Sequence, residues 1–347
     1  MIENIKLTNF RKFNELDIDI KKDITVLHGN NAKGKSTVLE AIYLITNGIS
    51  PWASSNEFIS NSQKEENRYC RIEITSDTKR YSFFKDDNRK ILQMDGKKVI
   101  PKRFFEKMAS TIFNPEQIEI LMISPSKRRN FLDEAISIME YEYSTKLKNF
   151  RKILRQRNAY LKKLSKDFYE KGIVARNDTQ LNFWTEEFIQ ISKYIQTKRE
   201  KLSKELFFDN LKMLYIKSNG DDKLADALEN SKKRDIATGY TNVGPHRDDW
   251  ILSNGEDIKK FGSRGEKRLA IGQMIFKKQE IIAERLGFYP ILLLDDIASE
   301  LDEKNSKKIF DKKLLKKQQT FLTIIDPNNL PKDVIKNAQL IDLNSFK

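Results

Sequence analysis

With a single cysteine in 347 residues, Cys70, the chain has no internal disulfide and too few thiolates for a multi-cysteine metal site, so a reducing cytoplasmic setting suits it best. Cys70 itself reads as core filler. No apolar run approaches the roughly eighteen residues of a membrane span, and the first residues begin an alternating strand pattern rather than a signal peptide. The expectation is a soluble, intracellular protein without a membrane partner. Glycine and proline almost vanish between about Glu140 and Leu214, which removes the usual punctuation of turns and leaves long helices as the reading. Internal repeats and low-complexity tracts are absent as well. Because 39% of the residues are hydrophobic, the chain can bury one large or two ordinary cores, and disorder is not the default.

What the chain has in excess is positive charge. Its 64 Lys and Arg stand against 50 Asp and Glu, a net of +14, which favours a polyanionic partner such as nucleic acid over a neutral surface. The excess is concentrated: residues 146–171 carry ten Lys or Arg against Asp167 and Glu170. Such a stripe is either the solvated face of a helical hairpin or an electrostatic footprint for DNA, with Arg151, Arg155 and Lys162 as the candidate contacts.

Gly29-Asn30-Asn31-Ala32-Lys33-Gly34-Lys35-Ser36, followed by Thr37, fits the phosphate-loop pattern G-x-x-x-x-G-K-[ST]. The flanks suit it. Ile24–Leu27 reads as a buried strand, while Val38, Leu39, Ile42, Tyr43 and Ile45 recur at helical spacing. Two glycines let backbone N–H groups close round a diphosphate at the positive end of a helix. Lys35 would then reach the β- and γ-phosphates of ATP, and the Ser36 hydroxyl would ligate Mg²⁺.

A P-loop enzyme also needs a carboxylate near its metal. Ile291–Leu294 is wholly apolar and runs into Asp295-Asp296, so Asp295 is the second metal candidate and Asp296 the candidate base that polarises the attacking water. Some 260 residues separate Lys35 from Asp295, which requires a large insertion in the ATPase domain. Ser263-Arg264-Gly265-Glu266 opens a helix and looks like the signature motif of ABC-type ATPases, although a plain helix cap by Ser263 explains the same residues. Ser299-Glu300-Leu301-Asp302 looks like their D-loop.

Other segments complete the plan. Ile2, Ile5 and Leu7, then Leu16, Ile18 and Ile20, predict two strands joined through Asn9–Phe13. Tyr69–Ile74 and Tyr81–Lys85, with Asp95-Gly96 as a tight turn, predict an antiparallel layer. Asn219–Lys233 reads as a polar connector, Asn254-Gly255 as a hairpin turn, and Phe321–Ile325 as a late strand. The expected class is α/β, an ABC-type P-loop ATPase head with an inserted helical, short coiled-coil-like arm. The expected division is 1–139 for the first part of the head, 140–235 for the arm and 236–347 for the rest.

Taken in order, these motifs resemble the RecF family of bacterial DNA repair, in the SMC-like branch of ABC ATPases. The resemblance spans nearly the whole chain. It rests on Ile5–Phe13, the P-loop, Phe113-Asn114-Pro115-Glu116, Pro125–Asp133, Arg155-Gln156-Arg157-Asn158, Gly239–Asp249, Phe261–Glu266 and Pro290–Asp302. It implies an ATP-dependent homodimer in which Ser263 and Gly265 of one copy contact the γ-phosphate held by the other. It also implies binding to double-stranded and gapped DNA, work alongside RecO and RecR proteins, and slow ATP hydrolysis.

Departures from the family pattern bear on single residues. Ile123 stands where the family carries glycine. Gln117 occupies the place of a Q-loop glutamine that senses Mg²⁺ and γ-phosphate, where relatives often carry other residues. No histidine follows the strand Phe321–Ile325, so a transporter-type switch histidine is missing. Arg11 is a candidate contact to phosphate or adenine, with pairing to a surface acid as its alternative. His246 and Arg247 either line the nucleotide region or brace the lobes. The competing functions are an SMC-like defence or phage ATPase with a nuclease partner, and the ATP-binding subunit of a transporter.

Overall fold

The computed structural model describes residues 1–52, 57–59, 68–106, 108–114, 119–171, 178–296 and 317–346. They form two compact units, one of residues 1–118 and 282–347, the other of residues 119–281. These boundaries differ from the expected ones at 139/140 and 235/236, so the segment carrying Ser263 groups with the helices rather than with the P-loop.

In the first unit, strands β1 (Ile2–Phe10), β2 (Phe13–Asp19), β4 (Tyr69–Ser76), β5 (Lys79–Asp86), β6 (Lys90–Met94) and β7 (Lys97–Lys98) make an antiparallel sheet in the order β2-β1-β4-β5-β6-β7. Apolar and polar residues alternate along them, so one face packs inward: Ile5, Leu7, Ile72, Ile74 and Phe83 are all buried. Cys70 lies on that inner face, where burial pushes its thiol up to about 12 and keeps it inert. Asp95 (φ 49°) and Gly96 (φ 77°) make the expected turn in left-handed backbone.

The second sheet is parallel throughout, in the order β14-β3-β13-β12-β8, from β3 (Ile24–His28), β8 (Ser110–Phe113), β12 (Ile291–Asp295), β13 (Thr320–Ile324) and β14 (Ala338–Asp342). Strands β3, β8, β12 and β13 are almost continuously buried, as strands covered on both faces require, while the edge strand β14 is only partly so. Helix α1 (Lys35–Asn47) follows β3 directly and buries Val38, Leu39, Ala41, Ile42, Leu44 and Ile45, so one core links it to both sheets.

Two long antiparallel helices, Tyr141–Lys171 and Thr179–Glu205, dominate the second unit. The first, of 31 residues, is about 46 Å long at 1.5 Å per residue. Its buried stripe runs Leu147, Phe150, Ile153, Arg157, Leu161 and Leu164, at spacings of three and four. Asp178 caps the second helix by accepting from the Leu181 N–H at 2.9 Å.

Three local expectations are corrected. The supposed connector Asn219–Lys233 is mostly helix, Leu224–Thr238. Its apolar stripe is thin, essentially Leu224, Leu228 and Ile236, and the rest of its buried face is ionic through Asp235. Leu211–Ile216, expected at the end of the helical region, is strand β10, flanked by β9 (Phe207–Phe208) and β11 (Asp249–Ser253). Past Asn254-Gly255 the chain enters a short helix, Ile258–Phe261, instead of a second hairpin strand, with Asp257 capping it by accepting the Lys259 N–H at 2.9 Å.

Candidate nucleotide site

The phosphate loop joins the end of β3 to α1, and its backbone needs its glycines. Gly29 (φ 137°), Ala32 (φ 60°) and Gly34 (φ 92°) all take positive φ. A Cβ at Gly34 would also meet the Phe13 ring at 2.5 Å, so only glycine fits. Lys35 is buried at the first turn of α1, and its ammonium donates to the carbonyls of Gly29 at 2.7 Å and Asn30 at 3.0 Å. Burial lowers its proton affinity, and the nearby Asp295 and Asp296 raise it in turn.

The acids arrive from far along the chain. In the sheet, β13 lies between β3 and β12, so the end of β12 sits two strands from the phosphate loop. The Ser36 hydroxyl donates to Asp295 Oδ1 at 2.9 Å across 259 residues. Thr323, opposite Asp295 on β13, donates to the same oxygen at 2.6 Å, and its hydroxyl accepts the Asp296 N–H at 2.9 Å. Burial pushes the Asp295 carboxyl above its ordinary range, against the pull of the Thr323 and Ser36 hydroxyls. Asp296 takes left-handed backbone (φ 49°), which ends the strand and turns the chain.

Sequence reading missed three supports of this site. Thr323 had one visible signal, as the polar residue within the otherwise apolar run Phe321–Ile325. Asn344, which accepts the Asn30 N–H at 3.1 Å, and Glu40, buried in α1, had none. Glu40 accepts from two Arg11 nitrogens, Nε at 2.9 Å and Nη2 at 2.8 Å, so the acid that pairs with Arg11 is a buried one of α1 and not a surface one. Of the remaining loop residues, Asn30, Asn31, Ala32 and Ser36 are exposed, while Lys33 and Thr37 are half-buried.

Ser263 and Gly265 lie in the second unit, exposed, at the start of the helix Arg264–Leu286. The Ser263 N–H donates to Glu266 Oε2 at 2.7 Å, and the Glu266 N–H donates to Ser263 Oγ at 3.3 Å, a reciprocal capping box. The cap reading of these residues therefore holds in the fold. Gln117 and Ser299–Asp302 lie outside the described residues.

Arg151, Arg155 and Lys162 are exposed on the first arm helix. With Lys148 and Lys166 they fall within about 60° of arc at 100° per residue, one continuous basic stripe opposite the buried one. The Lys162 ammonium lies 4.9 Å from the Tyr240 ring centroid.

His246 packs among aromatic rings of its own unit. It sits within the second unit, its ring centroid 5.9 Å from that of Phe188 and 6.4 Å from that of Phe150, with Nε2 2.8 Å from the Thr241 carbonyl. Burial pulls its imidazole down to about 4. Around it, residues from the segments Pro125–Asp133, Arg155–Asn158 and Gly239–Asp249 join a largely buried ionic framework. Arg199 grips both oxygens of Asp133 at 2.8 Å, Arg128 grips Asp249 at 2.6 and 2.7 Å, and Arg157 reaches Asp235 at 2.9 Å. Asp248 accepts from Gln196, Tyr215 and the Ser218 N–H.

A strand–loop–helix phosphate cradle in a parallel sheet, closed by an acid from the strand two places away and accompanied by an antiparallel layer, defines an ABC-type P-loop ATPase. The chain matches the RecF/RecN/SMC N terminal domain over residues 1–339. It is 35% identical to the DNA replication and repair protein RecF of Clostridium kluyveri, covering all of this chain and 98% of that one. The RecF of Clostridium acetobutylicum is 32% identical, over all of this chain and 97% of its own. Among solved structures, the recombination mediator protein RecF-ATPrS in the RecFOR pathway superposes with a TM-score of 0.81 at 29% identity, covering 95% of this chain and 94% of that one. The RecF-ATP structure of the same pathway gives 0.81 at 28%. This chain belongs to the RecF/RecN/SMC family, on its RecF branch. The full-length relatives favour that reading over a transporter subunit or a nuclease-linked defence ATPase.

Proposed function

We propose that this chain is an ATP-driven DNA-binding ATPase of RecF type, acting in replication and repair. The observation that carries the reading is the Ser36–Asp295 hydrogen bond, which joins the phosphate loop to the acid-tipped strand. Residues 29–37 would hold the triphosphate through backbone N–H groups and Lys35. Ser36 and Asp295 are two hard oxygen donors at one point and fit Mg²⁺. No cluster of three or more acidic, His or Cys ligands occurs among the described residues, as suits an ion that keeps phosphate and water in its shell. When bound, the ion would neutralise charge on the phosphates.

The protein's own contribution is positioning and charge. Thr323 orients the Asp295 carboxylate, and Asp296 would polarise the attacking water. With no histidine after β13, turnover is expected to be slow. Ser263 and Gly265, exposed at a helix start, would meet the γ-phosphate of a second copy, so that ATP joins two chains. The Arg151–Arg155–Lys162 stripe would take duplex or gapped DNA by counterion release, with little base-specific readout. The RecFOR setting of the solved relatives supports RecO and RecR proteins as partners. No helix among the described residues is long and apolar enough to cross a membrane.

The test is sizing by light scattering with and without ATP and a gapped duplex. The expected result is a doubling of mass with ATP, further gain with DNA, and neither in Lys35→Ala. A mass indifferent to ATP in the wild type would end this reading.

A further inference from the structure

We propose that Lys12, outside the phosphate-loop pattern, is a second phosphate-anchoring cation of the nucleotide site. The inference rests on reading residues 29–36 as a triphosphate cradle. Lys12 lies in the turn between β1 and β2, where Asn9 (φ 53°) and Arg11 (φ 56°) both take left-handed backbone. That turn is fixed from two sides. Arg11 is tied to Glu40 of α1, its N–H donates to the Phe58 carbonyl at 2.8 Å, and Phe13 fills the space beside Gly34.

The Lys12 stem packs on the loop as well: a Cβ at Gly34 would lie 2.9 Å from Lys12 Cδ. Its ammonium donates to the Ala32 carbonyl, in the middle of the loop. The side chain is therefore seated on the cradle by its own packing. Three ammonium groups, those of Lys12, Lys33 and Lys35, gather round one short loop, and the Lys12 ammonium feels both of the others. Like charges drawn together call for a polyanion. Lys35 has Asp295 and Asp296 nearby, whereas no salt bridge to Lys12 forms among the described residues. A carbonyl is a weaker partner for an ammonium than phosphate oxygens, so Lys12 would gain by exchanging Ala32 for a phosphate.

Lys12→Met keeps the stem over Gly34 and removes the charge. Equilibrium affinities for ATP and for inorganic tripolyphosphate, each at two ionic strengths, are compared for wild type, Lys12→Met and Lys12→Arg, with melting temperature as a check on folding. The expected result is about tenfold weaker binding of both probes in Lys12→Met, a shallower salt dependence, and recovery in Lys12→Arg at unchanged melting temperature. Equal affinity and equal salt dependence in Lys12→Met would overturn the assignment, as would a loss that only tracks a lowered melting temperature. If the wild type takes tripolyphosphate but not ATP, the nucleotide reading fails while Lys12 is judged on the inorganic probe; binding of neither overturns both.

Discussion

Thr323 illustrates how one hydroxyl can organise a site that the chain assembles from distant parts. Its side chain donates to Asp295 and accepts from the backbone of Asp296, so it sets the direction of one acid and the turn into the next. At the same scale His246 is legible only in three dimensions. As a lone histidine in a polar motif it invited a functional reading, but the rings of Phe150 and Phe188 and the surrounding burial hold it neutral, with its pKa near 4 instead of 6.5. Below pH 6.5 the unfolded chain takes a proton here that the native fold refuses. Stability is therefore full above 6.5 and is lost as pH falls towards 4, by about 2 kcal/mol at pH 5. Denaturant unfolding at pH 7 and pH 5 should show that loss in the wild type and a smaller one in His246→Gln. An equal loss in the variant would place the acid sensitivity elsewhere.

At the scale of elements, legibility followed the width of the apolar stripe. Strands β3, β12 and β13 are buried on both faces and announce themselves as short, mainly apolar runs, and the glycine-bounded loop before α1 has a pattern that few other geometries need. Leu224–Thr238 stayed hidden because one of its three buried residues is ionic: Asp235, fully enclosed, pairs with Arg157 from the buried stripe of the arm. Charges used in place of apolar residues erase the period on which helix reading depends. On the solvent side of that same arm the stripe was visible. Reversing Arg151, Arg155 and Lys162 together to Glu should weaken duplex binding and reduce its salt slope, by about 0.9 for each phosphate no longer neutralised, with ATP affinity near normal. Filter binding across a salt series measures this, and an unchanged slope would leave the stripe as a solvated face.

For the whole molecule the question is how one bound triphosphate is converted into association. If Asp296 polarises water, Asp296→Asn should retain ATP and stay dimeric long after the wild type has hydrolysed it and separated, as followed by scattering over time. Normal turnover in the variant would remove Asp296 from that role. Ser263 is exposed while capping its own helix, so its local duty and a contact to a second copy are compatible in geometry. The linear chain by itself determined the phosphate loop, the acid-tipped strand and the basic arm, since each is a local pattern whose chemistry needs neighbours in sequence. Only the tertiary structure decided that Ser36 and Thr323 donate to one oxygen of Asp295, that Asn344 and Glu40 support the loop and its neighbouring turn, and that Arg128, Asp133, Arg157, Asp235 and Asp249 belong to an ionic framework. The physical reason is that those partners meet through strand order and burial, which no spacing along the chain encodes.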